Sequence, residues 1–172
     1  MLNEQNLCRD ISGLTAGDPT SLQDGPSLLS LPDQYITGDQ IMAQTSVIFA
    51  DDNILLRKFL RMSIQEDPHL SVANEAANGL ELLRQLEETI PDIIILDISM
   101  PFLSGLKAAK IIKEQYPSIK IVILTMNDKK SYFRQACEIG VDGYVLKDEI
   151  EKIHDIITTI IQGKTYISSC FQ

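Results

Sequence analysis

The sequence predicts an α/β fold, a parallel sheet of five strands doubly wound by helices on both faces, and two observations predict it. From Thr45 onward, strand and helix signals alternate five times. Four short apolar runs also stop at polar residues: Val47-Ile48-Phe49-Ala50 at Asp51-Asp52, Ile93 to Leu96 at Asp97, Ile121 to Leu124 at Thr125, and Gly143 to Leu146 at Lys147. Runs of this length and punctuation suit buried parallel strands. Such βα units wind right-handedly and leave the sheet covered on both faces. In open sheets of this kind, ligands bind where the strands' carboxyl ends emerge.

Taken in order, strands are expected at 46–51, 70–75, 92–97, 120–125 and 142–146, and helices at 53–66, 79–89, 104–116, 129–139 and 149–162. The first helix carries Leu56, Leu60 and Ile64 on one stripe, with Arg57, Lys58 and Arg61 turned outward. The second opens after Asn78-Gly79 and offers Leu80, Leu83 and Leu86. Ser104 is the expected N-cap of the third, which presents Leu106, Ala109 and Ile112 inward and Lys107, Lys110 and Lys113 to solvent. In the last, Ile150, Ile153, Ile157 and Ile160 form the expected buried stripe, with Ile156 and Ile161 off it and open to a partner. Gly163 stops that helix.

Residues 1–44 differ in kind. Pro19, Pro26 and Pro32 fall among irregular glycines, and six acidic residues face Arg9 alone. No helical or strand period persists there. The segment reads as a disordered or loosely docked extension, or as a product of start-site choice, since Met42 directly precedes the first strand. Over all 172 residues the net charge is −9, which disfavours non-specific binding to nucleic acid or to anionic membranes. No apolar run approaches membrane-spanning length, and no signal peptide is evident, so the expected compartment is the cytoplasm. Cys8, Cys137 and Cys170 form no CxxC pair, and Cys137 is expected to be a small buried hydrophobe. His69 and His154 are isolated, which points away from histidine catalysis.

The strand-end residues carry a specific chemistry. Adjacent carboxylates leaving a strand point to opposite sides, so one of Asp51 and Asp52 would ligate a divalent metal directly and the other through water. The plainer reading is that Asp52 or Asn53 only caps the next helix. Asp97 follows four aliphatic residues, where an unpaired carboxylate is costly. A metal ion shared with Asp52, or the ammonium of Lys147, would offset that cost. Carboxylates serve as nucleophiles in phosphoryl transfer, whose transition state needs positioning and charge neutralisation. A metal, Lys147 and the hydroxyl of Thr125 would supply partners for three phosphoryl oxygens.

With these residues in place, 46–165 resembles the receiver domain of two-component response regulators. The matching residues are Asp51-Asp52, Asp97 with Pro101 four later, Ser104-Gly105, Thr125, and Tyr144 three before Lys147. The resemblance implies a flavodoxin-like strand order of 2-1-3-4-5, with the domain at 45–165 and a linker beginning at 166–172. It also implies that Asp97 accepts phosphate from a histidine kinase or phosphotransfer protein. Asp52, Asp97 and the main-chain carbonyl of Ser99 would hold Mg²⁺ with Asp51 in support. Thr125 and Lys147 would contact the phosphoryl oxygens, and Tyr144 would be the switch residue. Leu124-Thr125-Met126-Asn127-Asp128, the stretch Gly140 to Asp148 and the tail Gly163 to Ser168 resemble receivers of LuxR/NarL-type transcriptional regulators. Asp148 stands where many receivers have proline, so the loop need not hold a cis bond. Met126 stands where a small residue is common, which would narrow access.

Rival classes remain at this level. An Asp-nucleophile phosphatase resembles DxDx(T/V), and Ser99 stands where its acid would be. A pseudo-receiver that never takes phosphate usually lacks one of Asp51, Asp52, Asp97, Thr125 and Lys147. The expected role is therefore a phosphoacceptor regulator rather than a turnover enzyme, acting in transcriptional control, with a weak homodimer through the first or fifth helix. No DNA-binding domain is expected within these residues.

Overall fold

Branched aliphatic residues on both sides of each central strand commit this chain to a sheet buried on both faces. The computed structural model describes residues 44–171, which lie within one compact unit spanning Gln40–Gln172. The expectations for the N-terminal extension and for Met42 fall outside the described residues. The strands are β1 (Thr45–Ala50), β2 (Leu70–Ala76), β3 (Ile93–Leu96), β4 (Lys120–Thr125), β5 (Gly143–Leu146) and β6 (Tyr166–Ile167). The helices are α1 (Ile54–Glu66), α2 (Gly79–Leu86), α3 (Gly105–Gln115), α4 (Lys130–Ile139) and α5 (Ile153–Ile161). All strands are parallel, in the order β2-β1-β3-β4-β5-β6.

Among the described residues the expected five strands are thus six. β6 comes from the stretch read as the start of a linker, pairing Gly143 with Tyr166 and Tyr144 with Ile167. Strand alternation divides the core. Val47, Phe49, Ile93, Ile95, Val122 and Leu124 face α1 and α5, against Leu60, Ile64, Ile153, Ile156, Ile157 and Ile160. Ile48, Ile94, Leu96, Ile121, Ile123 and Tyr144 face α2, α3 and α4.

Several expectations about individual faces are corrected. Leu80 is 43% exposed while Leu82 is fully buried, because a spacing of three drifts backward around the helix by about 60° per step. Ile156 is also buried: with Ile153, Ile157 and Ile160 it forms the i, i+3, i+4, i+7 stripe, and Ile161 alone stays outside. The α-helical part of the last helix starts at Ile153, because Lys147–Lys152 winds as a 3₁₀ turn. Cys137 is exposed rather than buried. Asn53 caps α1 through its side chain, accepting from the Leu55 and Leu56 N–H groups. Ser104 occupies the N-cap of α3 without a side-chain cap bond.

Lys113, expected in solvent, instead donates to Asp142 at 2.7 Å and to the Ile119 carbonyl at 2.9 Å. Asp142 also accepts from Lys120 at 3.0 Å and from the Ile121 N–H at 3.0 Å. One carboxylate thereby ties α3, β4 and the start of β5 at the amino edge of the sheet. Burial opposes its charge, but these donors outweigh it and hold its pKa below the ordinary 3.8.

At the opposite edge the register sets the site. Ala50 pairs with Leu96, Leu96 with Ile123, and Thr125 with Leu146. The next residues, Asp51, Asp97 and Lys147, therefore emerge together. Gly105 lets α3 start directly against the loop carrying Asp97: a Cβ there would stand 1.9 Å from the Asp97 carbonyl oxygen. The Gly105 N–H donates to the Ile98 carbonyl at 3.0 Å, which fixes the approach.

Two outcomes are expected in equilibrium denaturation. Gly105→Ala should cost about 2–3 kcal/mol, since the clash is with backbone that cannot turn aside; a stability within error of wild type would count against this packing. Asp142→Ala should cost about 1–3 kcal/mol at neutral pH by stranding its donors. Because the folded pKa of Asp142 lies below 3.8, its contribution is present above that value and is lost as pH falls through the lower folded pKa. The wild type should therefore converge on the variant in acid, and an unchanged gap would contradict the assignment.

Candidate functional site

The backbone delivers Asp97 to its position as a continuation of β3: its N–H donates to the Ala50 carbonyl at 2.9 Å. Asp51 likewise continues β1, its N–H bonded to the Ala76 carbonyl at 3.1 Å. Both are nearly inaccessible, at 2% for Asp51 and 4% for Asp97. The Lys147 ammonium lies between them, 2.6 Å from Asp51 Oδ2 and 3.0 Å from Asp97 Oδ1. The remaining carboxylate oxygens accept backbone donors, Asp51 Oδ1 from the Asn53 N–H at 2.9 Å and Asp97 Oδ2 from the Ser99 N–H at 2.8 Å. Asp52 is the exposed member of the adjacent pair. One carboxylate oxygen from each of Asp51, Asp52 and Asp97 lies within 4.8 Å of the other two.

Electrostatics follow from this burial. Desolvation pushes the Asp97 carboxyl above its ordinary range, and the Lys147 hydrogen bond and charge offset only part of that. Burial works against the Lys147 charge too, yet its hydrogen bonds to Asp51 and Asp97 hold its pKa above the ordinary 10.5. The lysine thus stays protonated across the physiological range, as a fixed cation facing two acidic groups.

The site opens to solvent through a cleft of about 240 Å³ lined by Asp52, Asn53, Asp97, Ser99, Met126, Asn127 and Lys147. Met126 is 77% exposed, so it stands at the rim and does not close over the carboxylates. A larger groove of about 510 Å³ runs between α3 and α4, lined by Lys107, Lys110, Glu114 and Glu138 among others. Its carboxylates, Glu114 and Glu138, are exposed, whereas the smaller cleft leads to the nearly buried Asp97 and its ammonium partner.

Thr125 closes β4 and is buried, its hydroxyl oxygen accepting from the Asn127 N–H at 3.1 Å. Tyr144 points inward, 1% exposed, and donates its phenolic hydrogen to the Asn127 carbonyl at 3.3 Å. Burial pushes that phenol up to about 12, so it remains a donor. Asp51, Asp97 and Lys147 therefore meet at one edge, and Thr125 and Tyr144 are joined to each other through Asn127, which lines the cleft there. That bridging role was not foreseen; an Asn two residues past a strand end was its available signal, and its side chain does accept from the Lys129 N–H at 3.0 Å. Arg57, expected in solvent, instead donates to the Asp51 carbonyl at 2.7 Å.

The donor set suits a hard divalent cation: three carboxylates converge, and exposed Asp52 leaves one side to water.

Comparison with known proteins agrees with this geometry. The family model described as the response regulator receiver domain matches residues 47–158. The transcriptional regulatory protein YhcZ of Bacillus subtilis is 38% identical over 102 residues, covering 59% of this chain and 48% of that protein. The oxygen regulatory protein NreC of Staphylococcus epidermidis is 37% identical over 123 residues, covering 70% of this chain and 56% of its own length. This chain spans about half the length of both relatives. A solved two-component response regulator of the LuxR family from Aurantimonas sp. SI85-9A1 superposes with a TM-score of 0.70 at 28% identity, covering 75% of this chain and 93% of that one. By its fold, its sequence and its LuxR/NarL-type relatives, the chain belongs to the response regulator receiver domain family.

Proposed function

We propose that Asp97 accepts a phosphoryl group from a phosphohistidine on a histidine kinase or phosphotransfer protein. The observation that carries this is a nearly buried carboxylate held by the Lys147 ammonium at 3.0 Å, with a cleft leading to solvent. An Asp97 oxygen attacks phosphorus, the P–N bond breaks, and the imidazole nitrogen keeps the electron pair. Lys147 turns an N–H from Asp97 to a phosphoryl oxygen, and the Thr125 hydroxyl donates to another. Asp52, Asp97 and the Ser99 carbonyl would hold Mg²⁺, with Asp51 in support through its own bond to Lys147. When bound, that ion supplies positive charge against the phosphoryl oxygens. Ser99 offers no general acid, which favours a lasting phosphoryl aspartate over phosphatase turnover.

The relatives' names support a role in transcriptional control, and the proposed compartment is the cytoplasm. With a net charge of −9, these residues are not themselves the nucleic-acid-binding element. Among the described residues, no helix is long and apolar enough to cross a membrane. A second copy of the chain is a further partner. Ile54, Leu55, Phe59 and Met62 on α1 are 42–72% exposed, and Ile161 on α5 is 49% exposed, an apolar surface of the kind that weak symmetric contacts use.

Incubation with Mg²⁺ and acetyl phosphate should add one phosphate by intact mass, and chelation of the metal or Asp97→Asn should abolish it. Phosphate gain by the Asn variant at the wild-type rate would sink the assignment. Sedimentation velocity should show a weak dimer strengthened by beryllofluoride, and a monomer at high concentration in both states would exclude it.

A further inference from the structure

The sixth strand and the turn after it are attached to the part of β5 that carries Tyr144. The Ser168 N–H donates to the Tyr144 carbonyl at 2.9 Å, and Ser168 Oγ accepts from the Leu146 N–H at 2.9 Å. Ser168 is fully buried, so these bonds are made away from competing water. The Phe171 N–H then donates to the Ser168 carbonyl at 3.0 Å, turning the chain back over the sheet. That turn sets the Phe171 ring 5.1 Å from Tyr144, edge to face, and 4.9 Å from Phe133 of α4, stacked. Phe133 in turn meets Tyr144 at 5.3 Å. Three rings from α4, β5 and the tail therefore enclose one another, each such pair contributing about 0.5–1.5 kcal/mol beyond area burial.

The enclosed ring also reaches the rim of the acidic cleft, which Asn127 lines. Its hydroxyl bonds the carbonyl of Asn127, whose N–H bonds the hydroxyl of Thr125. Leu146, held by Ser168, immediately precedes Lys147. Asn127 lines the same cleft as Asp97 and Lys147, so one path from the site to residues 166–171 passes through Asn127 and the Tyr144 ring, and a second through Lys147, Leu146 and Ser168.

We infer that residues 166–171 form a clamp that holds the Tyr144 ring in its buried position, and that this clamp is reciprocally coupled to occupation of Asp97 through Asn127. The inference rests on the phosphoacceptor reading. A phosphoryl group at Asp97 draws the Thr125 hydroxyl toward it, Asn127 follows, and the 3.3 Å bond from Tyr144 shortens, seating the ring more firmly against Phe171. Coupling of two binding equilibria is necessarily symmetric, so loosening the clamp weakens occupation of the site to the same degree. The two-state element is the tail, docked or undocked, and each end of the network biases it.

The test uses the whole chain. Phosphorylation by acetyl phosphate is confirmed by intact mass, and amide hydrogen exchange is then followed by NMR with and without the phosphoryl group. The Ser168 and Phe171 amides should exchange several-fold more slowly in the phosphorylated protein, and Tyr144→Phe, which lacks the hydroxyl that bonds the Asn127 carbonyl, should lose that difference. Phe171→Ala should bind beryllofluoride several-fold more weakly, and Phe171→Leu should fall between it and wild type, with β1 and β3 amides as the control for global folding. Protein that gains no phosphate overturns the phosphoacceptor reading and the clamp together. Protein that gains phosphate but shows unchanged tail exchange, or an affinity unmoved in both Phe171 variants, overturns the clamp alone.

Discussion

Two carboxylates share one nearly dry edge of the sheet, and the ammonium of Lys147 is what makes that arrangement tolerable. Asp51 ends β1, Asp97 ends β3, and Lys147 begins from the end of β5. Because β4 lies between β3 and β5, the lysine side chain must reach across the carboxyl end of β4, where Thr125 sits. A buried charge without its partner is strongly destabilising, so the pairing constrains the register of four strands at once. Burial raises the energy of the Asp97 carboxylate, Lys147 offsets part of that, and the cleft leaves one approach open.

The fold was legible because its signals are redundant. Runs such as Ile93 to Leu96 are too short for a helix and too apolar for an exposed strand, and each ends at a polar residue with a reason to be there. The strand-end carboxylates, the hydroxyl and the lysine were likewise readable as one constellation, and the structure brings Asp51, Asp97 and Lys147 into direct contact. Less visible was the division of labour between Asp51 and Asp52. Residues adjacent in sequence differ only in which side of the strand they leave, and the register that decides this lies in strands far along the chain.

What the sequence hid was mostly contact between distant elements. Lys113 looked like part of a solvated helix face because its neighbours Lys107 and Lys110 are exposed; its partner Asp142 is 29 residues away. Ile156 looked unpartnered because the stripe Ile150, Ile153, Ile157 and Ile160 passed over the position three after Ile153, which α5 also buries. Asn127 carries no chemistry of its own, and its importance lies in two backbone groups that no side-chain pattern reports. β6 spans two residues, below the length at which periodicity can be read.

That short strand has a consequence for solubility. Without it, β5 would be the outer strand on its side of the sheet, offering unpaired N–H and C=O groups along Gly-Tyr-Val-Leu. Flat apolar borders of this sort recruit further chains by adding strand to strand, which leads to aggregates rather than to defined assemblies. Tyr166 and Ile167 occupy those groups from within the same molecule, and Ser168 carries the coverage on to Leu146. A brief stretch of pairing thereby shields the border of β5 from strand-to-strand association.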